Sequence, residues 1–88
     1  KTKQGVNMKK IIVYEGNIND TKFVKLDKLN GLEELQELIL TEDWTKIITL
    51  LHKMHKAGEI GRFAVDSYIE VRVQAIGSSV FYKFVVEK

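Results

Sequence analysis

Eighty-eight residues allow one domain, which buries only somewhat more than about 60% of its unfolded surface, and 44% apolar with 30% charged residues is the balance of a folding chain rather than a disordered one. The absence of cysteine excludes disulfides, thiolate metal sites and thiol nucleophiles, and points to a reducing cytoplasm. A net charge of +2 is too small to announce nucleic-acid binding by itself, and no apolar run approaches the roughly 20 residues of a membrane span.

The chain reads as a single domain over 1–88, with residues 1–8 as a loose, lysine-bearing arm; Lys9-Lys10 is followed by too short an apolar stretch for a signal peptide. Lys10 to Tyr14 is β-branched and aromatic and ends at Gly16-Asn17 and Asn19-Asp20, the pattern of a strand and a turn. Lys22 to Leu26 follows as a second strand, and the two form an N-terminal hairpin. Asn30 with Glu33 three residues on predicts a capped helix start near Gly31, with Leu32, Leu35, Leu38 and Ile39 on one face. Thr41 followed by Glu42-Asp43 reads as a second start, giving two helices or one bent one.

The second helix lines up Trp44, Ile47, Ile48, Leu51, Met54 and His55, and Gly58 supplies its left-handed end. Gly61-Arg62 reads as a turn into the last hairpin. There Tyr68 to Ala75 alternates, with Ile69, Val71, Val73 and Ala75 toward the core and Tyr68, Glu70, Arg72 and Gln74 on the other face. Gly77-Ser78-Ser79 turns the chain into Val80 to Val86. The expected fold is α+β, a small, mostly antiparallel sheet of about four strands with two helices packed on one face. With Val80–Val86 as the last strand, one sheet edge is expected to be covered by a second copy of the chain or by a partner segment.

Cleavage of RNA by attack of the ribose 2′-hydroxyl needs a base, an acid for the leaving oxygen and cations that stabilise the phosphorane. Glu70 and Arg72 project together from the predicted strand beside Tyr68, and Lys83 joins them if the returning strand is in register; the same residues equally make the solvated, ion-paired face of an amphipathic hairpin. His52 and His55 are the chain's two histidines, the residue type suited to general-base work near neutral pH. The apolar stripe makes His55 a packed, hydrogen-bonded core residue, while His52 at its edge faces either way. With no third histidine and no cysteine, a zinc site is not expected, and no other cofactor is implied. Arg62, at the junction of helix and sheet, suits a phosphate contact or an ion pair, and Lys53 and Lys56 add positive charge at the helix end. The glycines fit no phosphate-binding loop and Ser78-Ser79 no nucleophile elbow.

Leu50-Leu51 to Gly58, Ile60-Gly61-Arg62, the run Tyr68-Ile69-Glu70-Val71-Arg72-Val73 and then Phe81-Tyr82-Lys83-Phe84 together resemble the RelE/ParE superfamily of toxin–antitoxin toxins, in its phage-derived HigB-like branch. The resemblance spans roughly residues 44 to 86. It implies a metal-independent endoribonuclease that blocks translation by cleaving mRNA, commonly on the ribosome, and that an antitoxin segment silences. Carried over, Glu70, Arg72, Lys83 and Tyr82 fall on the catalytic positions; Arg62, Tyr68, Lys53 and Lys56 are the candidate RNA contacts by charge, aromatic character and position. The competing reading is a small non-enzymatic module of phage or plasmid origin that binds a protein through a sheet edge or hairpin face.

Overall fold

The structure, a computed structural model, describes residues 10–17, 19, 22–66 and 69–87. The loose arm expected over residues 1–8, and Tyr68 among the expected RNA contacts, lie outside them. The elements are β1 (Lys10–Asn17), β2 (Phe23–Leu26), α1 (Glu33–Thr41), α2 (Trp44–Lys56), β3 (Ile60–Asp66), β4 (Glu70–Ala75) and β5 (Val80–Glu87). The strands form one five-stranded sheet in the order β2-β1-β5-β4-β3, antiparallel at every junction.

Two expectations are corrected here. The sheet has five strands rather than about four, because Gly61 and Arg62 lie inside β3 and not in a turn. A register shift between Ile60 and Phe63 breaks the two-residue alternation that would have announced this strand. Nor is β5 an edge. It sits at the centre, paired with β1 on one side and β4 on the other, so the sheet ends at β2 and β3 instead. The pairing of β1 with β5 closes nearly the whole chain, and no local pattern announces a contact over that separation.

The helices divide where the acidic pair falls. Asp43 caps α2, its carboxylate accepting from the Lys46 amide at 3.3 Å. Thr41 belongs to the end of α1, where its hydroxyl donates to the Leu38 carbonyl at 2.6 Å. The start of α1 differs from expectation, since Leu32 rather than Asn30 occupies the cap position, at φ 57°, without a side-chain cap. Glu33, the first helical residue, does not complete the expected capping box but accepts from the amide of Gly31, just before the cap, at 2.7 Å. At the far end of α2, Gly58 (φ 76°) takes the left-handed position; its amide donates to the His55 carbonyl and that of Glu59 to Met54, closing a Schellman motif.

The core is one cluster. Leu35 and Ile39 of α1 and Ile47, Leu50, Leu51 and Met54 of α2 meet Val13, Ile60, Val71, Val73 and Phe84 of the sheet. Strand alternation decides membership, for the paired row Leu26, Val13, Phe84, Val71 and Val65 enters or borders the core while its neighbours along each strand do not. Each fully buried aliphatic or aromatic side chain contributes about 1.5–3 kcal/mol by leaving water. Trp44 packs half-buried at the margin. Ile69, expected inside, is 64% exposed because β4 begins only at Glu70. His55, expected in the core, is exposed although hydrogen-bonded.

Candidate functional site

The sheet face turned away from the core carries the chain's mixed charged and aromatic residues. Register places Lys25, Tyr14, Lys83, Arg72 and Ala64 in one row across all five strands. Beside it runs Phe23, Gly16, Phe81 and Gln74, and on its other flank Ile12, Val85, Glu70 and Asp66. None of the hydrophobic residues in these rows belongs to the core or packs against it.

Arg72 and Lys83 are direct cross-strand partners. Like charges so placed repel, and each finds compensation on its own side. The Arg72 guanidinium leans toward the β3 edge, with Nε 3.1 Å from Glu70 Oε2 and Nη2 3.5 Å from Asp66 Oδ2. The Nε contact is a charge contact only; that nitrogen is buried and lacks an aligned hydrogen-bond partner. Lys83 leans the opposite way, its Nζ 5.0 Å from the Tyr14 ring centroid and 4.8 Å from that of Phe23, within cation–π range.

The second row is built around Gly16. A Cβ at that position would stand 2.7 Å from Cδ2 of Phe23 and 3.0 Å from the Lys22 carbonyl oxygen, so the phenylalanine ring occupies the space that a side chain would take. At the other end of the row Gln74 ties β3 to the hairpin turn, accepting from the Arg62 amide at 3.1 Å and donating to the Ser78 carbonyl at 2.8 Å.

Of the expected catalytic residues, Glu70, Arg72 and Lys83 therefore come together. Tyr82 does not join them, because it is adjacent to Lys83 in a strand and faces the other way, pairing with Val73 and packing at the border of the core. Arg62 is exposed on edge strand β3, and Lys53 and Lys56 are exposed on α2, away from this face. The histidines are also on α2: His55 Nδ1 lies 2.8 Å from the Gly61 carbonyl oxygen, and His52 meets Phe63 edge-on at 5.0 Å between ring centroids. Among the described residues no group of three or more His, Cys, Asp or Glu is placed to hold a metal ion, and no helix is long and apolar enough to cross a membrane.

Sequence reasoning missed Tyr14, Phe23, Lys25 and Asp66. Alternation along β1 separates Ile12 and Tyr14 from Ile11 and Val13, but only the β1–β5 register sets Tyr14 against Lys83. The face thus offers a carboxylate, a phenol and two cations within three adjacent strands, with an aromatic floor on one side. Comparison of the chain with protein-family models, with curated proteins and with solved structures returns no match.

Proposed function

We propose that this chain acts on RNA as a translation-inhibiting toxin of the RelE/HigB type, in a bacterial cytoplasm, with the outer face of its sheet as the RNA contact and the two helices covering the opposite face. The observation that carries the reading is the direct opposition of Arg72 and Lys83 on a face that no core residue occupies, with Glu70 beside them. Two cations at adjacent strand positions suit a phosphodiester under attack, and Glu70 and Tyr14, with Asp66 at the edge, are the groups on the face able to exchange a proton there. Arg72 would exchange its carboxylate contacts for phosphate. The part-exposed ion pairs it gives up contribute only about 0–1 kcal/mol, so releasing them costs little. An antitoxin strand would pair with β2 or β3, which end the sheet.

The test is induced expression in a bacterial cell with growth and translation followed, alongside incubation of the purified chain with mRNA. Arrest and cleavage by the wild type, both lost in an Arg72→Ala/Lys83→Ala variant of unchanged stability, is the expected result. An inert wild type would sink the reading.

The second reading, a non-enzymatic protein-binding module, is favoured by a separate observation. Arg72 is already engaged by Glu70 and Asp66, while both histidines, the natural bases near neutrality, are on α2 rather than on this face. A wild type that is inert toward RNA yet captured by a specific protein through β2 or β3 would establish it.

A further inference from the structure

We infer that the β2–β1–β5 part of the outer face is a stacking platform for the bases of single-stranded RNA, with Tyr14, Phe23 and Phe81 as ring surfaces and Lys25 and Lys83 as phosphate contacts. The class of ligand rests on the RNA reading above; the site and the single-strand requirement are additional to it.

Three half-buried aromatic residues stand in two adjacent rows of this region, and none of them contributes to the core. Gly16 separates Phe23 from Phe81 within one row, and without a side chain there the Phe23 ring lies down across the strand instead of standing off it. The rings of Tyr14 and Phe23 turn their faces toward one point, because the Lys83 ammonium sits within 5.0 Å of both centroids. A ring face that holds a cation is also the face on which a base stacks.

The electrostatics match a polyanion. The rows Lys25–Tyr14–Lys83 and Phe23–Gly16–Phe81 contain two cations and no acidic residue, whereas the acids of the outer face lie elsewhere, Glu70 and Asp66 around Arg72 and Glu87 3.8 Å from Lys10. Lys83 therefore acts as a placeholder. Its four-carbon stem lets the ammonium swing from the rings to a phosphate as a base takes the ring face. Bases within a duplex are stacked on each other and closed to such a floor, so the platform selects single strands.

Fluorescence anisotropy with a labelled oligouridylate of about twelve nucleotides, against an RNA duplex of equal length, tests this on the full chain. The single strand is expected to bind at least about ten-fold more tightly than the duplex. Phe23→Leu, which keeps apolar bulk over Gly16 but removes the π-face, should weaken single-strand binding about five-fold or more without changing its salt dependence. Lys25→Ala should instead reduce the slope of log affinity against log salt by about 0.7. Phe81→Leu provides the second ring variant should Phe23→Leu fail to fold. Equal affinity for duplex and single strand, no binding of either, or ring variants that fold and bind like wild type would overturn the platform. The two readings part cleanly. Ring-dependent binding without growth arrest sinks the toxin and keeps the platform, and arrest that survives both ring variants at unchanged affinity does the reverse.

Discussion

Arg72 and Lys83 face each other across β4 and β5, yet their charged ends diverge, the guanidinium toward Glu70 and Asp66 and the ammonium toward the rings of Tyr14 and Phe23. That divergence divides the outer face into an ion-paired half over β4 and β3, where one arginine meets two carboxylates, and a basic, aromatic half over β5, β1 and β2. It follows from register, since a pair of cations held at direct cross-strand spacing relaxes only by leaning apart.

The ion-paired half makes the first prediction. Glu70 and Asp66 are themselves register partners, so Arg72→Ala leaves two carboxylates opposed without the guanidinium between them. At low ionic strength the variant should lose about 0.2–1 kcal/mol, the scale of a part-exposed pair. The loss should shrink in 1 M salt, where the Debye length falls to about 3 Å, and Glu70→Gln added to Arg72→Ala should restore stability. Urea titrations at both salt concentrations check it; a loss that salt leaves untouched would mean that packing of the arginine stem, not charge, was removed.

The aromatic half depends on Gly16. Gly16→Ala puts a methyl group 2.7 Å from the Phe23 ring and 3.0 Å from the Lys22 carbonyl, and the second contact is backbone that cannot swing aside. The expected outcome is a loss of about 1–3 kcal/mol, the usual cost of overpacking, with the Phe23 ring displaced from Lys83. In NMR spectra the Lys83 side-chain methylene signals should move toward random-coil shifts. Unchanged methylene shifts would show that the ring stays in place without the glycine.

What the sequence discloses follows the range of the interaction. Both helices are legible because 3.6-residue periodicity is local and Gly58 ends α2 with backbone that acts within a turn, but their starts are displaced, α1 being capped at Leu32 rather than Asn30 and α2 at Asp43 rather than Thr41. The face of β4 is legible for the same reason, since Glu70 and Arg72 oppose Val71 and Val73 by alternation alone. β3 is hidden because its bulge puts Ile60, Phe63 and Val65 on the core side at uneven spacing. The place of β5 at the sheet's centre, and with it Tyr14 as the tyrosine beside Lys83 in place of Tyr82, depends on β1 returning to pair across most of the chain. No short-range signal encodes that return.

The helical stripe makes a stability prediction. Leu51 is fully buried in the cluster that joins α2 to Val71, Val73 and Phe84. Leu51→Ala removes its transfer free energy and leaves a cavity, at a cost of about 2–5 kcal/mol. In a domain of this size that approaches the whole margin of stability. Thermal unfolding followed by circular dichroism checks it, and Leu51→Met, close in volume, should recover most of the loss. A midpoint for the alanine variant equal to wild type would place Leu51 outside the cooperative core.

Glu33 makes the pH prediction. Its carboxylate accepts the Gly31 amide hydrogen, and that bond, with a further one from its own backbone amide, holds its pKa below the ordinary 4.5; Lys28 adds a smaller lowering. A carboxyl group whose pKa is lower folded than unfolded stabilises the fold above its unfolded value, and the contribution disappears as pH falls through the folded one. Wild type and Glu33→Gln should therefore differ in melting temperature at neutral pH and converge in acid, where the protonated glutamate and the glutamine amide both lack the charge. Melting curves of the pair from neutral pH down to about pH 3 measure the convergence. A gap of constant size across that range would assign Glu33's role to the shape of its side chain rather than to its charge at the start of α1.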